Sequence, residues 1–118
     1  MRRGLSACER LSTKREFDRV FREGRTFRYG EIVVKAAPNG LPFKRLGLSV
    51  GRRHGNAVRR NRMKRLIREA FRLNKACLSV SCDLVVIPRA GWRSLRLDAI
   101  EPVFKKALDD IERAFTGS

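Results

Sequence analysis

The alternation of apolar and polar residues is most regular between Arg59 and Arg72, where it follows the period of an α-helix. Placed on a helix, the apolar positions form one stripe: Met63, Leu66, Ile67, Ala70 and Phe71. The other side carries Asn61, Lys64, Arg65, Arg68 and Arg72. Such a helix buries one face in its own domain and presents a strip of positive charge to a partner. Because like charges one turn apart repel each other, a polyanion would stabilise the strip.

A second helical pattern predicts a helix from about residue 14 to 23. Thr13 and Glu16 have the spacing of a capping box, and Gly24 provides a stop at the C-terminal end. The apolar positions between them are Phe17, Val20 and Phe21. The two rings lie about one turn apart, which fits either core packing or a platform on which single-stranded bases stack. In the second case, phosphate contacts would come from the neighbouring basic residues Lys14, Arg15, Arg19 and Arg22.

Two stretches rich in β-branched or apolar residues predict strands ahead of the basic helix. Residues 27–37, centred on Ile32-Val33-Val34, form the first, and residues 45–50 form the second. The turn signal Pro38-Asn39-Gly40 between them predicts that the two strands pair as a hairpin.

The remaining elements complete an α+β order. Asn56 is the predicted N-cap of the basic helix, which runs to about Asn74. The apolar run 84–87, ended by a proline, is typical of a strand buried on both faces. Apolar positions at helical spacing predict a third helix: Leu97, Ile100, Phe104, Leu108, Ile111 and Phe115. Pro102 is placed early in that helix, after a cap at Asp98 or Glu101. The order predicts three helices packed with a small mixed sheet.

Composition narrows the class of partner. The chain of 118 residues fits one domain, 1–118, and we expect its basic, aperiodic residues 1–11 to form a mobile arm. Lys and Arg number 28 against 12 Asp and Glu, and the net charge of +16 favours nucleic acid or an anionic membrane as partner. No apolar run approaches the roughly 18–20 residues that span a bilayer. No signal-peptide apolar region follows Met1-Arg2-Arg3, so we expect a cytoplasmic protein.

No set of residues predicts a catalytic or metal site in the chain itself. Cys8, Cys77 and Cys82 lack the spacing of a zinc site and are expected to be reduced thiols. His54, the only histidine, has no triad partner in its context and is expected to be exposed in a loop. The acidic residues of the third helix are expected to be solubilising: Asp109, Asp110 and Glu112. Walker, GxGxxG and HExxH motifs are missing from the sequence.

The segment from Ser49 to Glu69 resembles the signature of the protein subunit of bacterial ribonuclease P. The core of that signature is matched at every fixed position by Ala57-Val58, Arg60-Asn61-Arg62, Lys64-Arg65 and Arg68-Glu69. The resemblance extends to residues 17–24, which are similar to the family's first helix, and to residues 83–89, which are similar to its late strand. Where the family often has two lysines, this chain has Arg52-Arg53, which keeps the charge.

The resemblance implies a fold detail, a function and a set of site residues. Ribonuclease P removes the 5′ leader from precursor transfer RNA, with its catalytic groups and Mg²⁺ ions in a large RNA subunit. The expected partners are that RNA and precursor transfer RNA, without a membrane or a small-molecule substrate. The family's left-handed β-α-β crossover is implied, against the general right-handed rule. Residues implied to bind the RNA subunit are Arg52, Arg53, Arg59, Arg60, Asn61, Arg62, Lys64, Arg65, Arg68 and Arg72. Residues implied to bind the leader are Lys14, Phe17, Phe21, Lys35 and Ser49.

Other classes of protein share the basic helix. A ribosomal or RNA-chaperone protein would bind RNA without needing a cleft lined by the two phenylalanines. A DNA-binding regulator would place the helix in a major groove, but the segment lacks the preceding helix and tight turn of that motif. A calmodulin-target or membrane-surface helix would lie outside a folded domain, whereas this one lies between two strand signals.

Overall fold

The structure is a computed structural model that describes residues 9–93 and 95–117. These residues form three α-helices and a four-stranded sheet, in the α+β class predicted from the sequence. The elements are α1 (Lys14–Glu23), β1 (Arg25–Arg28), β2 (Ile32–Pro38), β3 (Arg45–Leu48), α2 (Ala57–Asn74), β4 (Cys82–Pro88) and α3 (Leu97–Thr116). Short 3₁₀ turns at residues 52–54 and 75–77 flank α2.

The sheet has the strand order β1-β2-β4-β3. β4 pairs antiparallel with β2 and parallel with β3. Because α2 connects the parallel neighbours β3 and β4, the three elements form a β-α-β crossover, whose handedness stays a prediction. β4 holds a central place because Leu84, Val85 and Val86 are apolar and are buried on both faces of the sheet, as the continuous apolar run predicted.

The predicted hairpin between residues 27–37 and 45–50 is wrong. Residues 25–38 instead form two strands, β1 and β2, which reverse direction at Tyr29-Gly30-Glu31 and pair with each other. A backbone hydrogen bond of 2.9 Å from the Tyr29 N–H to the Ile32 carbonyl closes this turn. β4 then inserts between β2 and β3, because the strand that is apolar on both faces needs a neighbour on each side.

The two faces of the sheet are covered unequally. One face packs against α2 and α3 through the main core, which includes Leu84, Val86, Phe71, Phe104 and Ile111. The other face packs only against α1 and the segment before it, in a small cluster around Leu11, Val20 and Val85. Because α1 is only 10 residues long, it leaves part of this second face accessible.

The structure corrects two predictions, one for the segment before α1 and one for the start of α3. Of the segment predicted as a mobile arm, residues 1–8 lie outside the described residues, but Leu11 is buried and its N–H donates to the Leu46 carbonyl at 3.0 Å. α3 begins at Leu97 with Arg96 as its N-cap, not at Asp98 or Glu101. Pro102 therefore lies in the second turn of α3. Because proline has no N–H, one carbonyl of the first turn lacks its helical donor, and water can donate to it because this part of the helix is exposed.

A fully buried carboxylate, Asp83 at the start of β4, joins three parts of the fold. Its oxygens accept hydrogen bonds from Arg45 Nε at 2.9 Å, Arg45 Nη2 at 2.8 Å, Arg19 Nη2 at 3.0 Å and Asn39 Nδ2 at 2.8 Å. Burial by itself would raise the pKa of the Asp83 carboxyl, but the hydrogen bonds from Arg45, Asn39 and Arg19 outweigh it and lower the pKa. The carboxylate thereby ties α1 and β3 to β4.

Replacing Asp83 with asparagine should destabilise the fold. The free energy of unfolding should fall by about 2–3 kcal/mol near neutral pH, less than for a fully buried pair because both arginines still touch water. The hydrogen bonds that lower the pKa of Asp83 stabilise the folded protein only while its carboxyl group is ionised. The difference from wild type should therefore be complete above the ordinary value of 3.8 and shrink as the pH falls through the folded-state pKa below it.

Urea unfolding at a series of pH values measures this difference. Asp109→Asn is the matched control, because it removes the same charge from an exposed carboxylate that pairs with Arg113 at 2.7 Å. Equal stability of the two variants would contradict the structural importance of the Asp83 hydrogen bonds.

Candidate nucleic-acid interface

One face of α2 is apolar and buried, and the basic residues lie in three rows on the rest of its surface. The buried face is the predicted apolar stripe. Met63, Ile67, Ala70 and Phe71 are fully buried, and Leu66 is partly buried. Asn56 caps the helix as predicted, with its side chain accepting a hydrogen bond from the Arg59 N–H at 2.9 Å. Helical spacing then places one row of cations beside β3, one on the solvent side and one beside the loop that precedes α3.

The row nearest α3 contributes to the fold itself. Arg59 Nε donates to the His54 carbonyl at 3.1 Å, and its Nη2 donates to the Trp92 carbonyl. Arg62 Nε donates to the Leu95 carbonyl at 3.1 Å. These bonds hold the loop that leads into α3 against α2. The sequence pattern gave no sign of this role, because a guanidinium that binds carbonyls looks the same in sequence as one that binds phosphate.

The other cations predicted for the RNA subunit differ in how far they are already engaged. Arg60 Nε donates to the Gly55 carbonyl at 3.1 Å, and Arg72 pairs with Glu69 at 2.6 Å. Asn61 is exposed. Five of the cations predicted for the RNA subunit make no hydrogen bond or ion pair through their side chains with the described residues: Arg52, Arg53, Lys64, Arg65 and Arg68. These five side chains can therefore bind an external anion without first breaking a bond to another described residue.

A histidine holds the turn that carries Arg52 and Arg53. His54 was predicted to be exposed, but it is only 3% exposed, which corrects that prediction. Its Nε2 lies 2.7 Å from the Pro88 carbonyl, and its Nδ1 accepts a hydrogen bond from the Gly51 N–H at 2.9 Å. This arrangement fits the neutral tautomer with the proton on Nε2. The imidazole therefore fixes the basic turn to the end of β4.

The accessible part of the sheet lies beside α1 and forms a second surface. We call the surface bounded by Phe17, Phe21, Val33, Lys35 and Ile87 the α1 groove. The Phe21 ring is 41% exposed, and Lys35 Nζ lies 5.8 Å from the centre of that ring, within cation–π distance. Lys35 Nζ also donates to Thr26 Oγ1 at 2.8 Å, so the cation is held beside the ring.

Phe17 lines the groove and also contributes to the fold. It is partly buried against the small cluster of Leu11, Val20 and Val85. A Cβ atom at Gly47 would lie 2.7 Å from Phe17 Cζ, so the ring needs a glycine on β3 to lie this close to the sheet. Core packing and cleft lining, the two interpretations left open by the sequence, thus both apply to Phe17, whereas Phe21 is mainly a surface ring.

The groove continues towards the basic turn. Val33 and Ile87 are direct partners across β2 and β4, and both are partly buried. They line a cavity of about 270 Å³ together with Arg53 and Arg89. Sequence reasoning missed Arg89, Val33 and Ile87 as groove residues. Their alternation with the buried residues of β2 and β4 was the signal that could have found them.

Of the last two predicted leader residues, Ser49 lies beside the groove, whereas Lys14 lines a different cavity, of about 580 Å³, with Arg19 and Arg45. Ser49 extends β3 beyond Leu48, with its N–H donating to the Val86 carbonyl at 3.0 Å, and strand alternation puts its side chain on the α1 side with Gly47. Lys14 is exposed on the first turn of α1, where its ammonium pairs with Asp18 at 2.8 Å.

The part of the chain that the structure describes holds no cluster of three or more His, Cys, Asp or Glu residues that could bind a metal ion. Within the same residues no helix is long and apolar enough to cross a membrane. Cys77 and Cys82 are free thiols, and burial raises the pKa of the Cys82 thiol to about 12.

The fold and these two surfaces define a small, basic α+β protein whose free cations and exposed ring suit a nucleic acid. Comparison with known proteins gives its family. A model of the family described as Ribonuclease P matches residues 5–112, which is most of the chain. The chain therefore belongs to the ribonuclease P protein family, whose bacterial members are the protein component of that endoribonuclease.

Individual relatives agree with this assignment. The Ribonuclease P protein component of Thermotoga maritima is 43% identical over 89 residues, covering 75% of this chain and 76% of that protein. The solved RNase P protein from Thermotoga maritima gives a TM-score of 0.78 at 35% identity, covering 86% of this chain and 96% of that one. A Staphylococcus aureus RNase P protein mutant with defective mRNA degradation activity gives a TM-score of 0.74 at 32% identity, covering 85% and 88%. The resemblance found in the sequence is confirmed.

Because some α2 cations bind protein carbonyls and others have no partner in the described residues, their substitutions should differ in their effect on stability. Arg59→Ala leaves two carbonyls without a donor and should lower the free energy of unfolding by about 1–3 kcal/mol. Arg65→Ala removes the same charge from a side chain without a partner in the described residues and should change stability by less than about 0.5 kcal/mol. Urea unfolding of both variants at one ionic strength measures the difference. A larger loss for Arg65→Ala than for Arg59→Ala would contradict this expectation.

Proposed function

We propose that this chain binds the RNA subunit of ribonuclease P with α2 and the basic turn, and binds the 5′ leader of precursor transfer RNA in the α1 groove. In this role it assists removal of the leader, as the accessory protein of an endoribonuclease. The observation that carries the proposal is the adjacency of two different surfaces: a row of cations without intramolecular partners and a groove with an exposed aromatic ring.

The surface proposed for the RNA subunit is suited to structured RNA. Its exposed members are Arg52 and Arg53 on the basic turn and Arg65 on α2. Guanidinium groups bind phosphate through two parallel hydrogen bonds, and each contact releases counterions from the RNA. Because no carboxylate in the described part of the chain pairs with these side chains, RNA phosphates do not have to displace an ion pair there. The net charge of +16 attracts the polyanion from a distance.

The α1 groove is suited to a single strand of variable sequence. An exposed phenylalanine offers a stacking surface that accepts any base, since every base has a π-face. Lys35 beside Phe21 and Arg89 beside Val33 and Ile87 supply cations for the backbone. Leaders of different transfer RNAs differ in sequence, so recognition by stacking and charge fits this ligand better than recognition by hydrogen bonds to base edges.

The chemistry of cleavage is assigned to the RNA subunit in this proposal. Mg²⁺ ions held mainly by that RNA would activate the attacking water. The residues of this chain bind and orient the leader and reduce the repulsion between the leader and the ribozyme. Action on transfer-RNA precursors would take place in the cytoplasm, the location that we expect from the sequence.

Cleavage of the leader should require the RNA subunit. The chain alone should not cut precursor transfer RNA at the 5′ junction, whereas adding a bacterial ribonuclease P RNA and Mg²⁺ should produce that cut. Gel analysis of 5′-labelled precursor measures the product. An mRNA substrate serves as a control, because a Staphylococcus aureus relative is associated with mRNA degradation. Accurate 5′ cleavage by RNA-free protein would contradict the proposal.

The leader groove separates this proposal from the ribosomal or RNA-chaperone alternative. Phe21→Ala should weaken binding of leader-bearing precursor to the protein–RNA complex by roughly 1–3 kcal/mol, the usual contribution of one stacked base. Binding of leaderless transfer RNA should be unchanged, and stability should fall little because the ring is largely exposed.

Leu73→Ala is the matched control for this measurement, because Leu73 is similarly exposed, at 45%, on the last turn of α2. Filter binding with the two substrates gives both constants for each variant. A chaperone-like protein would lose affinity for both substrates together or for neither, and that result would remove the leader from the α1 groove.

A further inference from the structure

A recess lies where α1, β3 and α2 meet, at the end of the α1 groove opposite the basic turn. It has a volume of about 120 Å³. Phe17 and Gly47 form part of its wall, and three cations lie on its rim: Arg10, Lys64 and Arg68. Of these, Arg10 was assigned no function by the sequence pattern, which placed it in a mobile arm.

The three cations carry charge that the protein does not neutralise. Their side chains make no hydrogen bond or ion pair with any residue in 9–93 or 95–117, and no carboxylate lines the recess. Glu9, the acid next to Arg10 in sequence, has its carboxylate bound by Lys75. Burial lowers the pKa of the Arg68 guanidinium, and the positive charge of Arg10 lowers it further. The two like charges repel each other. An anion in the recess would relieve this repulsion.

The backbone of Arg10 is held in place. Arg10 pairs with Leu46 in an isolated parallel bridge, and the Leu11 N–H donates to the Leu46 carbonyl at 3.0 Å. Leu11 itself is buried in the small cluster with Val20 and Val85. Arg10 is thus fixed along the edge of β3, directly across the recess from Lys64 and Arg68 on α2.

We propose that Arg10 binds one phosphodiester of the 5′ leader together with Lys64 and Arg68, with the adjoining base against Phe17. This assigns Lys64 and Arg68 to the leader, whereas the family resemblance assigned them to the RNA subunit. The inference rests on the proposed function and extends the α1 groove past Phe17 to α2. Three converging cations can share the two free oxygens of one phosphodiester through charge-assisted hydrogen bonds. The aromatic wall then gives the adjoining base a stacking surface.

The leader fits the recess better than the RNA subunit does, although both supply the same phosphodiester chemistry. The recess is small and continuous with the α1 groove through Phe17, so it admits a single strand and excludes the backbone of a double helix. A strand that stacks on Phe21 would reach Phe17 one helical turn away.

Arg10→Ala tests the site, with Lys105→Ala as the control because Lys105 is an exposed cation on α3, beyond the other face of the sheet. Binding of leader-bearing precursor to the protein–RNA complex should weaken roughly five- to tenfold in Arg10→Ala. The slope of log K against log salt should become shallower by about 0.7, the value for one single-strand phosphate. Lys105→Ala should change neither quantity, and affinity for leaderless transfer RNA and for the RNA subunit should hold in both variants.

A second arm locates the phosphodiester. Leaders in which one linkage at a time is replaced by an uncharged methylphosphonate should bind wild type weakly at one position. Arg10→Ala should be insensitive to the replacement at that position and remain sensitive at the others. Sensitivity at every position in Arg10→Ala, equal to that of wild type, would overturn the inference.

The outcomes separate this inference from the proposed function. Wild-type protein that does not distinguish leader-bearing from leaderless substrate would contradict both. Wild-type protein that distinguishes them, with Arg10→Ala behaving like Lys105→Ala, would contradict the phosphate site alone. A loss confined to RNA-subunit affinity would assign the phosphodiester to that RNA and overturn its assignment to the leader.

Discussion

The buried carboxylate of Asp83 is the interaction on which the geometry of the α1 groove depends. α1 buries only one residue completely, Val20, and the apolar contribution of one such side chain is about 1.5–3 kcal/mol, without directional preference. Direction comes from the carboxylate, which binds Arg19 on α1 and Arg45 on β3. Arg45 also pairs at 3.0 Å with Glu16, the residue that closes the capping box of α1. A continuous set of charged hydrogen bonds therefore sets where the helix lies over the sheet.

Positive charge is divided between folding and recognition. Arg19, Arg45, Arg59 and Arg62 are bound to carboxylates or carbonyls and hold elements together. The side chains of Arg52 and Arg53 on the basic turn, of Lys64, Arg65 and Arg68 on α2 and of Arg10 have no protein partner in the described residues. These cations lie along one side of α2, on the basic turn and around the recess. Mutual repulsion among them opposes folding in the free protein, and RNA would relieve it. The same excess charge that weakens the isolated chain thus favours the ribonucleoprotein.

Local sequence patterns predicted most of the helices and strands correctly, but the predicted hairpin was wrong because strand pairing depends on residues far apart in the chain. The capping box of Thr13 and Glu16, the Asn56 cap and the apolar run of β4 are short-range signals, and the structure confirms each of them. The hairpin was wrong because nothing local to residues 38–45 shows that β4, from much later in the chain, separates β2 from β3. The burial of His54 and the carbonyl bonds of Arg59 also depend on distant partners, Pro88 and Trp92. The family signature supplied the site residues on α2, whereas Arg10 and Arg89 became visible only once strands and loops were placed in space.

The most direct test of the central claim, that the two surfaces bind two different RNAs, is photo-crosslinking within the assembled complex. One preparation carries 4-thiouridine in the leader, and a second carries it in the RNA subunit; cross-linked peptides are then identified by mass spectrometry. The account predicts leader cross-links to α1, β2, the end of β4 and the recess around Arg10 and Arg68. It predicts RNA-subunit cross-links to the basic turn and to the exposed face of α2 around Arg65. Leader cross-links concentrated on α3, or identical peptides from both preparations, would contradict it.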